Sequence, residues 1–68
     1  MEAEAGAAMT PATFTSIRER AGLSRAQLAK TIGIREVKSI YRYEHGERPI
    51  SGTIEKLMLL IDKGVKLP

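Results

Sequence analysis

Residues 22–46 read GLSRAQLAKTIGIREVKSIYRYEHG, and three glycines divide this stretch into two segments of about ten residues each. Isolated helices shorter than about 12–15 residues are marginal in water, so segments of this length persist only by packing. The punctuation says where they begin and end. Gly22 is placed to close one helix in the left-handed conformation that glycine adopts without steric cost. Ser24, with Gln27 three residues on, reads as a capping box: the hydroxyl accepts a backbone N–H and the amide reaches back to the cap. Leu23 and Leu28 fall at hydrophobic-staple positions around that cap. Gly33 ends the helix after about two turns, and a further helical pattern runs to Gly46. Two short helices joined by a tight turn, a helix-turn-helix, are the expectation.

The flanks supply what these helices pack against. Thr10-Pro11 is a cap followed by proline at the first helical position, which predicts a helix over 11–21 with Phe14, Ile17 and Ala21 facing inward. Arg18 borders that face. Its stem can cover apolar surface while its head stays wet, or it can enter a structural ion pair. A fourth helix is predicted over 51–63, with Ile54, Leu57, Met58, Leu60 and Ile61 inward, Leu59 outward and Gly64 as its stop. Residues 1–9, rich in alanine and glutamate, are expected to be a frayed or disordered extension, and 65–68 a short tail. The domain is therefore expected over 10–64, all-α.

The helix expected over 36–44 carries the functional argument. Projected at about 100° per residue from Ile40, Val37 and Glu44 lie on one side of an inward arc, and Tyr43 and Glu36 on the other. Lys38, Arg42 and Arg35 fall at about 160°, 200° and 220°, opposite the core, with Tyr41 and Ser39 flanking them near ±100°. Any amphipathic surface helix shows a charged outer face, but this one is cationic throughout, without the alternating acids that form i,i+4 pairs. A short basic helix suits the DNA major groove, where Arg bridges guanine O6 and N7 and Lys reaches guanine or phosphate. Arg25 opens the preceding helix at the positive end of its dipole, where a bound phosphate would compensate it; an ordinary solvated Arg is the alternative. Arg48, in the loop after Gly46, is a further phosphate candidate.

Composition narrows the function classes. The chain has 68 residues, enough for one small domain, and no cysteine, which excludes a disulfide framework and a Cys-based zinc site. Its single histidine, His45, has no second ligand or catalytic partner, and a turn or surface role is expected for it. No metal-ligand cluster, phosphate-cradling glycine loop or nucleophile with a base can be assembled, so neither enzymatic activity nor a cofactor or metal is expected. The apolar run at 57–61 is far too short to span a membrane, and the N-terminus lacks a signal-peptide layout, so a soluble cytoplasmic protein is expected. Net charge is +3, but two of the eight acids, Glu2 and Glu4, sit in the extension, leaving eleven bases against six acids from Thr10 onward. A compact basic domain points toward a polyanionic partner.

With these residues placed, the chain resembles the helix-turn-helix domain of lambda-type phage repressors, Cro proteins and antitoxin regulators, the xenobiotic-response-element family. The matching text is IRERAGLSRAQLAKTIG and then SIYRYEHGERPISG, within residues 10–62. The resemblance implies a compact lambda-repressor-like domain of four helices, five elements at most, whose third helix reads the major groove while the second crosses the backbone. Lys38, Ser39, Tyr41 and Arg42, with Arg35 from the outer stripe, are then the base-reading candidates. Arg25, Gln27 and Arg48 are the phosphate candidates, and Arg18 and Glu44 take the positions of a structural ion pair. Between Gly33 and Glu44 lie ten residues where the family pattern has nine, and Arg35 stands where a Ser or Thr cap is usual. The extra residue is expected to loop out before Lys38, so that Ile40 keeps its core position.

The function implied is a sequence-specific transcriptional regulator, a repressor, binding an inverted-repeat operator in double-stranded DNA as a homodimer. Half-sites would lie about 34 Å apart. Leu59 and Met58 on the fourth helix are the expected dimer contacts. The alternative is an antitoxin-type interaction module, with a toxin or another regulator as protein partner and DNA binding as autoregulation.

Overall fold

The computed structural model describes residues 9–65. Within them the chain is all-α: four helices and no strand among the described residues. Thr10 caps α1 (Pro11–Arg20), its hydroxyl accepting the Thr13 N–H at 3.1 Å, and Pro11 occupies the first turn, where no N–H is needed. The capping box of α2 (Arg25–Ile32) closes in both directions, Gln27 N to Ser24 Oγ at 3.0 Å and Ser24 N to Gln27 Oε1 at 2.8 Å. α4 (Gly52–Asp62) starts on Ser51, whose hydroxyl accepts the Ile54 N–H at 3.2 Å.

The weak start is that of α3 (Val37–Glu44). Glu36 is its cap residue, in extended backbone with φ −113° and ψ 124°, and makes no side-chain capping bond. Before it, Gly33 turns left-handed at φ 80°, and the Ile34 N–H returns to the Ala29 carbonyl at 2.8 Å. Arg35 and Glu36 then carry the chain across in non-helical backbone ahead of Val37, and Ile40 is fully buried, the core position expected for it. Glu36, expected inside the helix, lies just ahead of it and is exposed. The same backward bond closes the other helices, from Leu23 to Arg18, Glu47 to Arg42 and Val65 to Leu60 at 2.9–3.2 Å.

One core joins the elements. Phe14 and Ile17 of α1, Leu28 and Ala29 of α2, Ile40 and Tyr43 of α3, and Met58 of α4 are buried together, with Leu23, Ile32, Ile34, Ile54 and Ile61 half-buried against them. The Phe14 and Tyr43 rings meet at 5.5 Å and a 43° tilt. α1 packs against α3 and α4, and α2 against α3. Arg20 fastens α1 to α4 through Asp62, with Nη2 to Oδ1 at 2.9 Å.

Met9 and Ile50 complete the core, and neither was expected there. Met9, assigned with the extension, belongs to the domain: it stands just before the Thr10 cap while Phe14 is the fourth helical residue, the two positions of a hydrophobic staple. The remainder of that extension, 1–8, and residues 66–68 of the tail lie outside the described residues. Besides that of Glu36, three inward assignments are corrected. Ala21 is exposed because α1 ends at Arg20, leaving Ala21 as its C-terminal cap. Val37, the first residue of α3, is 44% exposed, although Ser39 and Ile40 in the same turn are buried. Leu60 is exposed because α4 has a single broad helical neighbour, α1, and a single fully buried side chain, Met58.

Candidate functional site

α3 presents two opposed faces, and a carboxylate at its end decides how it is held. The Glu44 side chain is 2% exposed and sits between two arginines. Arg18 of α1 donates through Nε to one oxygen and through Nη1 to the Leu23 carbonyl at 2.9 Å. Arg25 of α2 donates through Nε to the other oxygen at 2.8 Å. Of the two possibilities open for Arg18, the ion pair is the one formed. A buried carboxylate with both oxygens engaged by charged donors is held in direction as well as position. Glu44 thus fixes the last turn of α3 against both preceding helices.

Arg25 is therefore neither a free solvated residue nor a wholly uncommitted phosphate ligand. Its Nε is engaged, its guanidinium lies 5.7 Å from the Tyr41 ring centroid, and its Nη groups have no partner among the described residues. Tyr41 in turn stacks on His45, with centroids 3.8 Å apart at 23°. His45 caps α3 with Nδ1 2.9 Å from the Tyr41 carbonyl, so it takes a helix-end, surface position. The i,i+4 spacing of Tyr41 and His45 was the available signal for this stack. Gln27 is exposed beside Arg25, its amide oxygen engaged at the Ser24 cap.

The opposite flank of α3 is built by Ser39 and Tyr43, also i,i+4. Ser39, expected beside the basic stripe, is 7% exposed and accepts a hydrogen bond from Arg48 Nη1 at 3.1 Å. The Arg48 guanidinium also lies 5.9 Å from the Tyr43 ring centroid. Arg48 reaches this position from the α3–α4 loop, nine residues further along the chain, and no periodicity marks such a contact. Ile34, Arg35, Glu36, Ser39 and Arg48 line an open cleft along this edge.

Between the two flanks lies the outer face. Lys38 and Arg42 are exposed on α3, and Arg35 is exposed in the turn leading to it; none has an acidic partner within 4.0 Å among the described residues. Tyr41 is 46% exposed, and Val37 adds an apolar patch at the start of the helix. Of the two residues expected to contact a second copy, Leu59 is 42% exposed, whereas Met58 is fully buried within the monomer and cannot reach a partner.

Chemically this surface can bind an anion through Arg and Lys donors. Among the described residues no group of three His, Cys, Asp or Glu is placed to hold a metal ion, and no helix is long and apolar enough to cross a membrane. Comparison of the chain with family models, curated proteins and solved structures yields no match.

Proposed function

We propose that the domain is a sequence-specific DNA-binding regulator of the lambda-repressor-like helix-turn-helix kind, acting as a repressor in the cytoplasm on an inverted repeat. The observation that carries this reading is the outer face of α3. Lys38 and Arg42 stand exposed without an acidic partner among the described residues, while the acid of the same helix, Glu44, is turned into the core. An exposed helix face of this kind offers Arg for bidentate contact to guanine and Lys for guanine or phosphate. Arg25 and Arg48 at its flanks offer backbone contacts, which set register rather than sequence. Repression follows from occupying a site that overlaps a promoter.

The test is titration of a duplex into isotopically labelled protein, followed by amide chemical shifts. Shifts concentrated at residues 24–27, 35–42 and 48 support the reading. Shifts confined to α4, or none at a salt concentration low enough to favour counterion-driven binding, count against it.

A second reading draws on Leu59, Leu60 and Val65, which are exposed at the end of α4 and beyond it. An antitoxin-type module would use such side chains on a protein partner, its DNA binding serving autoregulation. Co-purification with the product of a neighbouring gene would favour it, and capture that survives Leu59→Lys together with Leu60→Lys would remove this surface from consideration.

A further inference from the structure

α3 is bracketed by two arginines that the helix itself holds in place, and Ser39 is the residue whose role this changes. On one flank Tyr41 and Glu44 engage Arg25; on the other Ser39 and Tyr43 engage Arg48. The two flanks differ in what releases them. Glu44 is shared with Arg18, so removing it disturbs the core. The Ser39 hydroxyl accepts from Arg48 Nη1, and the remaining Arg48 nitrogens have no partner among the described residues.

We infer that Ser39 is not a base-reading residue but a positioning residue, which holds Arg48 on the face of Tyr43 so that its outer nitrogens are presented to a DNA phosphate. The inference rests on the DNA-binding reading and deepens it. Burial at 7% removes Ser39 from a groove floor, because a side chain that reads base edges must project beyond its own helix. The hydroxyl is instead an acceptor for the guanidinium, whose planar fork keeps further donors free when one is used. A loop arginine with a long stem loses considerable rotamer freedom when it grips a phosphate. Holding it beforehand moves that loss from binding to folding, so affinity rises for every sequence alike. Lys38 and Arg42 are left to discriminate between bases.

Ser39→Ala keeps a helix-favouring side chain of similar size at a buried helical position. It should weaken binding to operator and random duplex by the same factor, roughly three- to tenfold for one hydrogen bond. In an Arg48→Ala background the same substitution should change affinity less than about twofold, because the two residues act as a unit. A change of base preference in Ser39→Ala, or equal weakening with and without Arg48, would overturn the assignment. Relaxation of the Arg48 side-chain nitrogen in the free protein supplies a readout that needs no DNA. Arg48 should be more ordered than Arg42, and Ser39→Ala should abolish the difference. An Arg48 as mobile as Arg42 in the unsubstituted protein overturns the positioning role, whereas order at Arg48 without any duplex binding would sink the DNA-binding reading alone.

Discussion

Glu44 and Arg18 lock α3 to α1 through a carboxylate that is 2% exposed, and the second oxygen of the same carboxylate takes Arg25 from α2. Three helices therefore meet on one buried charge. Removing a partner from a buried pair is far more damaging than the pair's net worth suggests, because an unpaired charge stays behind. Arg18→Ala, which strands Glu44 with only Arg25, is expected to cost about 3–5 kcal/mol of stability, measured by urea unfolding. Arg25 is 43% exposed, and solvent screens its half of the network. Arg25→Ala should cost no more than about 1 kcal/mol.

Arg25→Ala, set beside substitutions on the outer face of α3, separates stability from recognition. Arg42→Ala should lower discrimination between operator and random DNA by about 1–3 kcal/mol if Arg42 is bidentate to guanine, and Lys38→Ala should act in the same direction. Arg25→Ala should instead weaken binding to all sequences and reduce the salt slope by about 0.9, the value for one phosphate contact. Affinity measured against both duplexes over a salt series distinguishes these patterns.

Glycine substitutions test the turn that sets α3 against α2. Gly33 has φ 80°, and a Cβ there would meet no atom within 4 Å, so the penalty is conformational rather than steric. Gly33→Ala should cost about 1–2 kcal/mol. Gly52, at the first position of α4, has ordinary helical backbone and equally open surroundings. Gly52→Ala should be stabilising, by about 0.4–1 kcal/mol, through the unfolded chain. Thermal unfolding of the two variants should move in opposite directions.

α4 offers a clean division between core and surface in adjacent residues. Met58 is fully buried and Leu59 is 42% exposed. Met58→Ala should lose about 2–5 kcal/mol, while Leu59→Lys should stay within about 0.5 kcal/mol of the unsubstituted protein. If Leu59 is the dimer contact, Leu59→Lys should shift the sedimentation equilibrium to monomer without lowering monomer stability.

Helix count and most caps and turn positions were legible because they rest on local chemistry: Thr10 and Ser24 cap, and Gly22, Gly33 and Gly64 stop, whereas Ser51, expected as the first residue of the fourth helix, is its cap. The Arg18–Glu44 pair was implied by the resemblance and is present. What the sequence did not reveal is mostly non-local. A helical wheel assigns Val37 and Leu60 to an inward arc but carries no information about where the neighbouring helix ends. Ser39 sits at a flank that the wheel leaves open, and the arginine that covers it comes from a loop without periodicity. Arg25 was read from the dipole at its own helix start, whereas a carboxylate nineteen residues away claims its Nε. Met9 is the exception: its staple with Phe14 is a local signal at the Thr10 cap, although the residues before it have the composition of a tail.

The outer face of α3 is most directly tested by selecting binding sites for the protein from random duplex DNA at a fixed, stated salt concentration. The expected result is enrichment of a two-fold inverted repeat with half-sites one helical turn apart, and loss of preference at guanine positions when the selection is repeated with Arg42→Ala. A pool that stays random while the folded protein retains salt-sensitive binding, or an enriched motif that Arg42→Ala and Lys38→Ala leave intact, would contradict it.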